Sequence, residues 1–375
     1  MRTRLALPYL PALLLASLFL TAPLQAQVTV TKFSKDFPGA YAFTFDDALP
    51  SQIIYAAPYL DQVGLKGSFY LITNNVIDGA AGNAAIGKPT TWADWKAISD
   101  KGHEIGSHTL THTDLTTLAA DALGRELTES AKIIKEKIGI TPVTLAYPYN
   151  AFNATVGKAM LQTYIAARTS QVAYGDVAGF ANTTEAMNKY VDGAVAGKSF
   201  QIGMIHGLTE PYAPMDPAQF LEHLKYCKKL MDDGKLWVAT FGEIRKYLIE
   251  KDSIHITIKT QTATEASFTA EASLDSVRFN VPLTFAVAYS GTGAAPAGAK
   301  AYRAGSATPL PVTVEADRIL VQAVPGKALI SVDWSGTAAI HETAAANRRA
   351  VGARTSKRKY LVSGKRLLPQ IKKSP

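Results

Sequence analysis

Residues 40–72 read AYAFTFDDALPSQIIYAAPYLDQVGLKGSFYLI. An apolar run at 41–45, a helical pattern at 51–63 and a second apolar run at 67–72 make a strand–helix–strand unit. The unit then repeats. Further apolar runs lie at 104–107, 143–146, 164–167, 200–205 and 236–239, separated by helical patterns at 92–101, 118–137, 155–162, 184–196, 216–233 and 241–249. Such alternation predicts right-handed βαβ units and a parallel sheet or barrel. Seven strands in about 210 residues predict a distorted, incomplete (β/α)7-type barrel rather than an eightfold one.

After residue 251 the pattern changes to short alternating strands, at 255–259, 267–271, 276–280, 283–288, 311–314, 319–323 and 328–334, with turn segments such as GTGAAPAGA (291–299) between them. This predicts a small all-β, immunoglobulin-like sandwich. The expected division is a signal peptide at 1–26, a catalytic barrel at 27–250, the sandwich at 251–336 and a basic, disordered tail at 337–375.

The first residues support export: Arg2 and Arg4, an apolar stretch at 10–20 too short to span a bilayer, and Leu24-Gln25-Ala26 as a cleavage site. A secreted location is expected, periplasmic, cell-surface or extracellular, and no later stretch reads as transmembrane. With Cys227 as the only cysteine, no internal disulfide is possible. The net charge of +8 is misleading, because residues 341–375 carry ten Lys or Arg against Glu342 alone. Without that tail and the two leader arginines the remainder is net −3. The basicity therefore belongs to a tail suited to cell-surface association, not to a nucleic-acid-binding face.

Two adjacent carboxylates, Asp46 and Asp47, come directly after the first strand. They are either a solvated loop start or part of a cation site. In a parallel barrel the active site lies at the C-terminal strand ends, so the residues just beyond each strand matter most. Asp46 and Asp47 come after the first, His108 and His112 (in HEIGSHTLTH) after the third, Tyr147-Pro148-Tyr149 after the fourth, Arg168 after the fifth and His206 after the sixth. The reactive side chains share one rim, which favours the cation. His108 and His112, four apart, are expected to face the same way on a helical turn. Two imidazoles with one carboxylate make a facial set for a divalent ion. His103, before its strand, is expected to be structural, and His223 to lie on the surface.

This constellation resembles the polysaccharide deacetylase family, the nodulation-deacetylase homology group of carbohydrate esterase family four, over about residues 38–250. TFDD (44–47) is similar to its first motif, HTLTH (108–112) to its second, Tyr147-Pro148-Tyr149 to its third, and Gly203-Met204-Ile205-His206 to its last. The resemblance implies Asp46 as base, Asp47, His108 and His112 as ligands of Zn2+ (or Co2+ or another transition metal), the Tyr149 amide as oxyanion donor and His206 as general acid. It also implies an acetylated polysaccharide or oligosaccharide as the partner, with a cation that lowers the pKa of its water to about 7. There are two departures. Ala146 stands where the third motif has an arginine; Arg168 either replaces it or forms a rim salt bridge. The Asp–Trp motif that tunes the acid has no clean match, and Asp176 and Asp192 are the candidates. N-acetyl groups of chitin-like or peptidoglycan-like glycans are the expected target. The alternatives are O-acetyl groups of xylan and a non-catalytic surface glycan-binding protein.

Overall fold

A computed structural model describes residues 28–78, 89–289 and 294–335. The leader at 1–26 and the tail at 337–375 therefore lie outside the described residues. The first strand, β1 (Val28–Val30), does not enter the barrel. The barrel begins with β2 (Gly39–Phe45), followed by α1 (Ala57–Val63), β3 (Ser68–Leu71), α2 (Trp92–Asp100), β4 (Glu104–Ser107), α3 (Ala120–Ile138), β5 (Thr144–Ala146) and α4 (Ala154–Met160). It continues with β6 (Ala166–Arg168), β7 (Val172–Tyr174), α5 (Thr184–Ala196), β8 (Phe200–Ile205), α6 (Pro217–Asp232), β9 (Leu236–Val238) and α7 (Phe241–Ser253).

All strand pairs here are parallel, in the order β6-β5-β4-β3-β2-β8-β7. β2 pairs with β8 along one edge. Its other edge is shared, Gly39–Tyr41 pairing with β9 and Thr44 and Phe45 with β3. The sheet therefore has eight strands rather than the seven expected; β7 is too short and too polar in its approach to stand out as an apolar run. Parallel strands covered on both faces read as continuous apolar runs. Accordingly Tyr41, Phe43 and Phe45 pack outward with residues of α1, α5 and α6, while Ala40 and Ala42 join a separate inner cluster. Curling is forced by the chain itself. The two edge strands, β6 and β7, are joined by residues 169–171 alone, a link that spans at most about 14 Å.

The helices form where the patterns put them, and short polar residues start them. Thr91 and Asp94 make a capping box on α2, and Asn153, Thr183, Asp216 and Thr240 cap α4, α5, α6 and α7. The helical stretch from residue 51 divides into a π-helical turn, Gln52–Ala56, and α1. Among the described residues no helix is long and apolar enough to cross a membrane.

α7 runs directly into β10 (Ile254–Gln261), followed by β11 (Glu265–Ala272), β12 (Leu283–Ala288), β13 (Lys300–Arg303), β14 (Pro309–Leu310), β15 (Val312–Val314), β16 (Arg318–Ala323) and β17 (Gly326–Asp333). Two antiparallel sheets result, β1-β12-β16-β15 and β10-β11-β17-β13-β14. The expected strand at 276–280 is instead a turn, because the Asp275 side chain and carbonyl collect the amides of Val277, Arg278 and Phe279. β13 and β14 were not expected, and β1 joins from the far end of the chain by pairing with β12. Ala40, Ala42 and Trp237 of the barrel strands form one core with Phe241, Ile244 and Tyr247 of α7 and with Phe268 and Phe285 of the sandwich. The sandwich thus covers the N-terminal end of the barrel, opposite the rim that carries Asp46 and His206.

Candidate metal and acid–base site

Asp46 and Asp47 leave β2 in different directions because the backbone turns left-handed at Asp47 (φ 76°) and Ala48 (φ 58°). Aspartate tolerates that region better than most residues. Asp46 is buried and points into the barrel, where Arg168 forks onto it. Nη1 donates to Oδ1 at 2.8 Å and Nη2 to Oδ2, while Nη1 also donates to Thr44 Oγ1 at 2.9 Å. Arg168 is itself 1% exposed and lies 5.5 Å from the Tyr70 ring centroid. Burial acts to raise the Asp46 carboxyl, but the Arg168 guanidinium outweighs it and holds the group below the ordinary aspartate value.

Asp47 Oδ1 is buried with no hydrogen-bond partner. It lies 3.5 Å from His108 Nε2 and 3.8 Å from His112 Nε2, and the two imidazole nitrogens are 3.1 Å apart. His108 Nδ1 lies 2.8 Å from the Ala146 carbonyl. Since a carbonyl can only accept, the proton sits on Nδ1 and the Nε2 lone pair faces Asp47. Burial also pushes the His108 pKa down, keeping the ring neutral. The three ligand atoms lie within 4.8 Å of one another. An orphaned carboxylate oxygen facing an imidazole lone pair fits a divalent cation, and N, N, O donors suit zinc.

The two histidines do not share a helical turn. Residues 108–112 form a loop, with Thr109 (φ 68°) and His112 (φ 62°) left-handed. The loop exists because its amides find polar side chains. Thr109 N donates to Ser107 Oγ, His112 N to Thr109 Oγ1, and Leu110 N and Thr111 N both to Glu126 Oε2. Glu126, on the buried face of α3, was missed in the sequence because nothing in a helix stripe marks a carboxylate as a loop anchor.

Tyr149 stands in the Pro148–Asn150 turn with φ 56°. Its ring is 70% exposed and edge-on to His112 at 4.7 Å. His206 comes just after β8, its ring edge-on to exposed Tyr212 at 5.2 Å and its Nδ1 without a hydrogen-bond partner among the described residues. Neither candidate tuning residue engages that nitrogen. Asp192 accepts from Tyr226 and Asp176 from Asn182. Tyr212 is a further site residue that the sequence did not mark.

His103 lies at the other end of its strand, 3.1 Å from Asp61 Oδ1 and accepting from Gly67 N, with burial lowering its pKa to about 4. His223 is not on the surface. It is fully buried against Tyr41, Phe43 and Tyr174, bonded to Asn188 at 2.7 Å, and burial pushes its pKa to about 3. The surrounding lysines obscured its place on the stripe Phe220, His223, Leu224 and Cys227, which faces the barrel.

Residues 35–167 match the family model described as Polysaccharide deacetylase. Over 342 residues the chain is 27% identical to a gellan lyase of Bacillus sp, covering 81% of this chain and 13% of that protein. It is 32% identical over 129 residues to a chitin deacetylase of Arthroderma benhamiae, covering 33% and 31%. The chain thus spans less than a third of the length of either relative. The solved Xyl-CE4 domain of a multidomain xylanase from the hindgut metagenome of Trinervitermes trinervoides is 22% identical, covering 58% of this chain and 92% of that one, with a TM-score of 0.39.

Proposed function

We propose that this chain, which belongs to the polysaccharide deacetylase family, is a secreted, metal-dependent enzyme that hydrolyses acetyl groups from a carbohydrate polymer or oligomer, with N-acetyl groups of chitin-like or peptidoglycan-like glycans as the target. The observation that carries this reading is the buried Asp46–Arg168 pair set beside the Asp47, His108 and His112 cluster. A surface glycan-binding protein has no use for a carboxylate held ionised at such a point.

Asp47, His108 and His112 are the residues to hold a divalent cation, which when bound supplies the Lewis acidity that polarises the acetyl carbonyl and makes water nucleophilic near neutral pH. Asp46, kept ionised and oriented by Arg168, accepts the proton as water adds to the carbonyl carbon. The Tyr149 amide donates to the developing oxyanion. His206 delivers a proton to the leaving nitrogen as the bond to the acyl carbon breaks, so acetate and a free amine are formed. Exposed Tyr149 and Tyr212 offer ring faces to sugars.

The same groups serve an ester, with an alcohol leaving instead, so acetylated xylan is the second reading. Residues 1–26 support export, and the basic tail supports surface association. The sandwich, immunoglobulin-like in size, supports the barrel from below. The test is acetate release from chitooligosaccharides, peptidoglycan and acetylxylan, with and without chelator. Chelator-sensitive release from an amide substrate is expected; release from none of the three removes the reading.

A further inference from the structure

We propose that Gln52 is a positioning residue that sets the spacing between the Asp46 base and the His206 acid; the inference rests on the deacetylase reading above. The β2–β8 ladder ends where Asp46 N donates to Ile205 O at 3.0 Å. Past that rung, the carbonyls of Asp46 and His206 both accept from a single side-chain nitrogen, Gln52 Nε2, at 2.5 Å each. Two carbonyls can be met only by the NH2 side of the amide, so its orientation is unambiguous. Gln52 is fully buried and supplies one further rung to a ladder whose backbone groups have parted.

The neighbouring residue laces the same two strand ends together. Ser51 Oγ accepts from Leu208 N at 2.8 Å, and Ser51 N donates to Glu210 Oε1 at 2.8 Å. Glu210 also receives the Ser51 hydroxyl and fills the space beside Gly207, where a Cβ would stand 1.8 Å from Oε2. The loop after His206 is therefore shaped around the Ser51–Gln52 dipeptide, which opens the π-helical turn Gln52–Ala56. Such turns concentrate at functional sites. Gln52 faces backbone carbonyls rather than reacting atoms, so its influence passes through the main chain of the two residues that move protons.

The experiment compares wild type with Gln52→Met, which keeps length and volume but has no donor, and Gln52→Asn, which keeps the amide but is one methylene short. Zinc stoichiometry, kcat and KM for p-nitrophenyl acetate, and crystal structures are measured for each. In Gln52→Met, kcat falls by about 10–100-fold, the scale of a misplacement near 1 Å, while KM and zinc content hold and the Asp46 O to His206 O separation widens. Gln52→Asn gives a smaller loss in the same sense, and decides the matter if the Met variant does not fold. A folded variant with wild-type kcat, or with that separation unchanged, overturns the proposal. If wild type releases no acetate from any substrate, the deacetylase reading falls, and the crystallographic separation still decides whether Gln52 holds the strand ends.

Discussion

Arg168, at the end of β6, grips both carboxylate oxygens of Asp46, at the end of β2, although four strand steps separate β6 from β2 in the sheet. In a flat sheet that distance is about 19 Å, well beyond an arginine side chain. The curl of the barrel makes the contact. Arg168→Ala leaves a buried, unpaired carboxylate, so a stability loss of about 3–5 kcal/mol is expected. Turnover in the folded fraction should fall by about 100-fold or more, with zinc content kept, since Asp46 loses its orientation. Arg168→Lys should recover only part, because an ammonium cannot fork onto both oxygens. Urea melts and acetate-release kinetics decide; normal turnover in Arg168→Ala would make the pair structural only.

Asp46 and Asp47 should part company on mutation. Asp47→Asn exchanges an anionic ligand for a neutral amide, so metal affinity drops and added zinc restores part of the activity. Asp46→Asn should keep its metal yet lose about 10²–10⁴-fold in turnover, the worth of general-base catalysis, with no rescue by zinc. Elemental analysis beside kinetics separates the two. Equal metal loss would refute the division into base and ligand.

Glu126 bonds to Leu110 and Thr111 rather than to Asp47, His108 or His112, yet it holds the loop that carries His112. Glu126→Ala should weaken zinc binding by about 10–100-fold, as loss of supporting hydrogen bonds does at metal centres. Calorimetric titration with zinc reads this directly. Wild-type affinity would mean the loop holds its shape unaided.

His223 predicts an acid-sensitive fold. Burial lowers its pKa from the ordinary 6.5 to about 3, so the unfolded chain takes up a proton below pH 6.5 that the folded chain refuses. The neutral ring's contribution is fully present above pH 6.5 and is lost progressively as pH falls towards 3. Between those limits it adds a slope of up to about 1.4 kcal/mol per pH unit. In His223→Gln that component disappears, and urea midpoints at about pH 7.5, 6 and 5 should fall less steeply than in wild type. Parallel lines would show that His223 is protonated in the folded protein.

The local pattern of the chain determined seven of the eight barrel strands, the helices between them and the reactive side chains at the strand ends. Apolar runs and helical periods are properties of neighbouring residues, and parallel strands put their successors on one rim. Tertiary structure decided what depends on residues remote in sequence. β1 pairs with β12 from the opposite end of the described chain, Arg168 meets Asp46 because the sheet curls, and His108 and His112 meet through a loop anchored by Glu126 rather than on a helix. His223 is buried because α6 lies over Tyr41 and Phe43, and Gln52 becomes a rung between two strands only once β2 and β8 lie side by side. None of these partners is within reach of a local pattern; each is a contact that the folded backbone creates.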